Sequence, residues 1–110
     1  MQFLVQMRLV DAGRPLTSQE GVQLIQLVLP TLEACRKLQH DGTILGGGPI
    51  SGTVGLCLLV QADSTQRLDE VLTSLPVWPR MQTDVVPLSS FDERERAVRQ
   101  KLDSLKRELR

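Results

Sequence analysis

Glu33 and Asp84 are carboxylates able to take up a proton, and Arg8 and Arg80 carry planar guanidinium forks that grip anions. Arg8 projects from a first strand on the side of Gln6, Glu33 rides the first helix, and Arg80 and Asp84 open a fourth strand. Each of the four also suits an ordinary surface charge. Trp78, the single tryptophan, lies between Pro76 and Pro79 at a helix-to-strand corner. There it suits a packing anchor, the wall of a cavity mouth or a subunit contact. His40 is the only histidine, and it falls at a helix C-terminus, where the dipole favours a protonated ring. Without Cys or carboxylate partners at ligand spacing it makes no zinc site, so no metal is expected. Gly46-Gly47-Gly48-Pro49-Ile50-Ser51-Gly52 invites a phosphate-loop reading. Such loops open a helix, whereas a strand follows here, so a hairpin with a bulge or a close backbone approach fits better. The glycines would also open space beside a ligand.

The elements that must position these groups belong to one domain, since the chain has 110 residues. Apolar residues make up 41%, enough for a modest core and against general disorder. Thirteen basic and thirteen acidic side chains cancel, and aromatics are 3% with no Tyr, so neither a phosphate-tracking stripe nor a base-stacking platform is present. Nucleic acid is therefore not an expected partner. No apolar run approaches the ~20 residues of a membrane span, and the N-terminus lacks a basic, long-apolar leader pattern. Cys35 and Cys57 sit among apolar residues and read as buried free thiols of a cytosolic protein.

Residues 2–10 alternate, with Phe3, Val5, Met7 and Leu9 on one face: a strand. Asp11-Ala12-Gly13-Arg14-Pro15 breaks it. Residues 17–40 read as a helix capped by Thr17 or Ser18, with Val22, Ile25, Leu29, Leu32 and Leu38 as its stripe and a kink or tight break at Pro30. Thr43-Ile44-Leu45 begins a second strand and residues 53–61 form a third, paired with it as a hairpin. Asp63-Ser64-Thr65-Gln66 resembles a capping box before a helix whose stripe is Leu68, Val71, Leu72 and Leu75. Residues 80–88 give the fourth strand. The order β-α-β-β-α-β is the split βαβ, or ferredoxin-like, motif: two helices on one face of a four-stranded antiparallel sheet. The other face carries Leu4, Cys57 and Leu59 and needs a cover. Residues 1–90 form this domain, and residues 91–110 form a charged amphipathic helix opened by Ser90-Phe91-Asp92-Glu93. Its seam of Val98, Leu102, Leu105 and Leu109 would dock on its own domain or on a second subunit.

Leu75-Pro76-Val77-Trp78-Pro79-Arg80-Met81, followed by Asp84-Val85, resembles the muconolactone isomerase family of the dimeric α+β barrel superfamily. Leu38-Gln39-His40-Asp41-Gly42-Thr43 fits the same family's helix end and glycine. Asp41-Gly42-Thr43-Ile44-Leu45, leading to Gly48-Pro49-Ile50 and Gly52, is similar to the YciI-like proteins. Where those proteins carry a helix histidine, this chain has Thr31. Its first helix is more apolar than in muconolactone isomerases, and its triple glycine is its own. The resemblance implies a dimeric barrel or a higher ring, with the protomers' sheets face to face and a cavity between sheet and helices. It also implies an isomerase that moves a double bond in a small lactone or acidic aromatic-degradation intermediate without metal or cofactor. Glu33 or Asp84 would be its base, Arg8 or Arg80 its anion clamp, and Trp78 a binding wall. The alternative is a non-catalytic oligomeric module that binds small molecules or serves assembly; a monooxygenase of the same superfamily is a third reading.

Overall fold

A computed structural model of the chain describes residues 1–10 and 14–110. Of the strand-breaking stretch, Asp11-Ala12-Gly13 lies outside the described residues. The elements are β1 (Gln2–Leu9), α1 (Ser18–His40), β2 (Ile44–Pro49), β3 (Gly55–Gln61), α2 (Thr65–Thr73), a 3₁₀ turn (Trp78–Arg80), β4 (Met81–Leu88) and α3 (Phe91–Glu108). The four strands form one antiparallel sheet in the order β2-β3-β1-β4. This is the ferredoxin-like arrangement that the element order predicts.

Alternation along β1 sends Phe3, Val5, Met7 and Leu9 into the core. Their neighbours in register are Val60, Leu58 and Leu56 on β3, all buried. Leu24 of α1 and Leu68, Val71 and Leu72 of α2 close the core from the helix side. The opposite face carries Leu4, Gln6 and Arg8 of β1 beside Val86, Asp84 and Gln82 of β4. Leu4, Val86 and Leu88 stay 40–49% exposed there, while Cys57 and Leu59 are half-buried.

Helix α1 departs from the predicted stripe. Val22, Ile25 and Leu29 are exposed, while Leu32 and Leu38 of that stripe do pack on the core, beside Leu24, Leu27, Val28, Thr31, Ala34 and Cys35. At 3.6 residues per turn the two stripes lie roughly a third of a turn apart. With apolar residues on both, periodicity alone does not choose the buried one. Of the kink or tight break expected at Pro30, the break is corrected, because one helix runs through it. Pro30 and Gln26 are exposed, so the carbonyl one turn back that loses its donor faces water. Thr17 and Glu20 form a capping box at its start, with Thr17 Oγ1 accepting from the Glu20 amide at 3.1 Å. The Arg14 guanidinium at 2.7 Å, with the Thr17 hydrogen bonds, holds the Glu20 carboxyl below its usual range. At α2 the cap is Ser64, not Asp63: its hydroxyl accepts from the Arg67 amide at 3.1 Å.

Inside, Thr31 Oγ1 donates to the Leu27 carbonyl at 2.7 Å and accepts from the Val77 amide at 3.0 Å. One hydroxyl thus fastens α1 to the corner between α2 and β4. Thr83 has the opposite situation, with a buried Oγ1 that meets no partner.

The same substitution at these two threonines has opposite consequences. Thr31→Val leaves the buried Val77 amide unpaired and should lower unfolding free energy by about 1–3 kcal/mol. Thr83→Val removes an unpaired hydroxyl at constant shape and should raise it by about 1 kcal/mol. Urea unfolding of the two variants, read as shifts of midpoint at constant slope, checks both signs.

Candidate active site

The roll of α1 that buries Thr31 turns a neighbouring flank of the helix toward the β2–β3 hairpin. Leu29, Leu32, Glu33, Arg36 and Gln39 on that flank face a cavity of about 620 Å³. Ile44 of β2 and Leu56 and Leu58 of β3 form its apolar floor. The hairpin side of the wall is largely backbone, from Gly47 and Gly48. A bulge between Ile44 and Gly46 shifts the register of β2. Gly47 then takes φ +100, and a Cβ placed there would fall 2.0 Å from the Cys57 carbonyl oxygen. No side chain fits that approach, which brings the two strand backbones together beside the cavity. The start of β2 is held by Asp41, whose Oδ1 accepts from the Thr43 amide at 2.9 Å. Hydrogen bonding to Thr43 keeps the Asp41 carboxyl below its ordinary range.

The polar groups on the wall come from consecutive turns of α1. Glu33 pairs with Lys37 at 3.6 Å on the exposed side of the helix. Arg36 follows Glu33 at i+3, where two side chains share a helix face. Cys35 borders the same space, and burial pushes its thiol pKa up, so it stays a protonated, inert group near neutral pH. A second, smaller cavity of about 240 Å³ adjoins the first through Leu32, Pro49 and Leu56. Ile25, Thr31, Val77 and Met81 line it, and its surface is almost wholly apolar. The pair of cavities makes a cleft along α1 with a polar end and an apolar end.

Of the residues singled out from sequence, Glu33 reaches this cleft. Asp84 and Arg8 lie on the other face of the sheet, where Asp84 stands opposite Gln6 in register. The Gln6 amide oxygen, in the orientation that satisfies both groups, accepts from Arg8 Nε at 3.1 Å and Nη2 at 2.7 Å. Arg80 ends the 3₁₀ turn, half-buried, and Trp78 opens it at 38% exposed. Neither lines the two cavities; Val77 takes the buried place at that corner. Within one protomer, then, the carboxylate of α1 is separated from Arg8 and Asp84 by the thickness of the sheet. His40 is exposed in the last turn of α1. Arg36 and Gln39 are the groups that sequence reading misses, whereas Gly47 and Gly48, expected among glycines that open space beside a ligand, do line the cavity. The two successive i,i+3 steps from Glu33 to Arg36 and from Arg36 to Gln39 are the signal that would have found them.

No curated protein matches the chain significantly. Among solved structures it is similar to the crystal structure of muconolactone isomerase at 3.3 Å resolution, with a TM-score of 0.67 and 24% identity. The match covers 82% of this chain and 90% of that one, and at this identity it speaks for the fold. The family model of muconolactone delta-isomerase matches residues 1–94, the whole sheet domain and the first residues of α3. With the sheet order, the cleft between α1 and the hairpin, and a family model that spans most of the sequence, the chain belongs to the muconolactone delta-isomerase family.

Proposed function

We propose that the protein is a cofactor-independent isomerase that moves a carbon–carbon double bond in a small lactone bearing a carboxylate. The observation that carries this reading is the placing of Glu33 and Arg36 together on the wall of the 620 Å³ cavity. Arg36 holds the substrate carboxylate in its fork. The Glu33 carboxylate takes a proton from the carbon beside the double bond, and the electron pair moves through the double bond onto the lactone carbonyl oxygen. The proton returns to the far carbon as the carbonyl re-forms. No electron is gained or lost overall, so the step needs no co-reactant. Leu56, Leu58 and Ile44 keep water from the ring face, which strengthens the charge interactions made at the polar end.

A second reading, a binding module without turnover, rests on the Glu33–Lys37 pair, which engages the carboxylate of the wall. Self-association through the outer sheet face belongs to either reading. Leu4, Val86 and Leu88 are exposed there, and Leu4 faces Val86 across β1 and β4. The free thiols Cys35 and Cys57 suit a cytosolic setting.

Incubation of the protein with a muconolactone-type lactone in D₂O, followed by NMR, tests the reading. The double bond should shift, with deuterium entering the product at the carbon that gains the proton and the recovered substrate, through the reverse step, at the carbon that loses it. Glu33→Gln should slow the exchange by about 10²–10⁴-fold, the usual scale for a removed general base. Arg36→Met should raise KM about tenfold or more with a smaller change in kcat, as expected for loss of a charge-assisted pair. Binding without deuterium entry favours the second reading, and neither binding nor exchange overturns both. Leu4→Glu should lower the mass of the assembly in light scattering; an unchanged mass removes the outer face as the interface.

A further inference from the structure

Every residue of α3 is exposed, and α3 buries nothing against its own domain. Phe91 is 95% exposed, and Val98, Leu102, Leu105 and Leu109 are each 44% or more. The helix carries the chain to 72 Å in its longest dimension, with a radius of gyration of 19.0 Å. A compact domain of this length has a radius near ~13 Å. Most helical stability in proteins comes from packing of an apolar face, and the apolar stripe of α3 has no such packing within the described residues of its own domain. The Ser90 cap on the Glu93 amide and the Glu95–Arg99 pair at 2.8 Å support it only locally.

We propose that α3 pairs antiparallel with α3 of a second copy of this chain, Phe91 packing on Leu109 and Val98 on Leu102. The spacing Phe91, Val98, Leu102, Leu105, Leu109 places these residues on the inner a and d positions of a heptad, with Glu95 on the same seam. Charge then decides direction. A parallel in-register pair sets Arg94 against Arg99 and Lys101 against Lys106, so each flanking contact is repulsive. The antiparallel pair sets Arg94 against Glu108 and Asp92 against Lys106, each twice by symmetry. Its like-charged contacts are Arg99 and Lys101 meeting their own copies at the two-fold axis. Arg99 is already neutralised there by Glu95 of its own helix, at 2.8 Å. Glu95 faces Leu105 of the second copy, and its bend toward Arg99 takes the carboxylate off the seam. Most of this seam, from Glu95 to Leu109, lies beyond the segment matched by the family model, which ends at residue 94 and includes Phe91, Asp92 and Arg94. It is independent of the lactone chemistry proposed above.

Sedimentation velocity of the full chain over a concentration series tests it, with circular dichroism to follow helix content. Leu102→Glu should cut the associated mass by half or more. Arg94→Glu should weaken association about tenfold, the scale of two exposed ion pairs lost and reversed. The double variant Arg94→Glu with Glu108→Arg should restore it. Unchanged mass in Leu102→Glu overturns the proposal. So does tighter association of Arg94→Glu, the result a parallel pair requires, or failure of the double variant to recover. Added salt should strengthen association of Arg94→Glu, by screening its repulsion, and weaken that of the restored double; the same sign in both would count against the proposal.

Discussion

The roll of α1 about its own axis governs much of this molecule, and the Thr31 hydroxyl sets it. That group is bonded on both sides, to the Leu27 carbonyl within the helix and to the Val77 amide at the far corner of the fold. With Thr31 turned inward, Leu24, Leu27, Val28, Cys35 and Leu38 must follow it onto the core. Leu29, Leu32, Glu33 and Arg36 then fall on the flank that meets the hairpin. Val22 is left in solvent. A different roll would keep the helix and lose the cleft.

The sheet adds the complementary constraint. Strands β1 and β3 bury their helix-side residues and leave the other face half-apolar, while Val85 and Pro87 of β4, beside Val5 and Phe3, stay exposed. Gln6, Arg8 and Asp84 are therefore presented on a surface separate from the cleft. The glycine run resolves in the same terms. It lies in strand β2, and at Gly47 glycine is required because the strand passes against the Cys57 carbonyl with no room for a Cβ, whereas Gly46 and Gly48 have open space there.

Much of the fold was legible from sequence because its signals are local. Alternation from Phe3 to Leu9, the Thr17 cap, and Pro76 and Pro79 each act within a few residues. The element order, and from it the sheet order, follow from such signals. The buried side of α1 was not legible, since Leu24–Val28 and Val22–Leu29 offer two competing apolar stripes. Its choice depends on Val77, 46 residues away from Thr31. Of the two outcomes expected at Pro30, a kink or a tight break, the break did not occur, since the freed carbonyl faces water and costs less there than in a core. Asp63 and Ser64 are adjacent capping residues of nearly equal preference, and only backbone geometry separates them. For the cleft, Glu33 was legible as a carboxylate on a helix. Arg36 was not, because surface arginines on helices are common and the apolar floor beneath it comes from strands distant in sequence.

The cleft has one consequence for how its selectivity could change. Its floor is core and its hairpin wall is fixed at Gly47, so neither can be altered without disturbing the sheet. The variable side chains that remain, at 33, 36 and 39, stand on a single rod at steps of about 4.5 Å along its axis. Recognition by this molecule is in effect a ruler: moving one charged group by one helical step shifts the length of ligand it accepts and leaves the scaffold untouched.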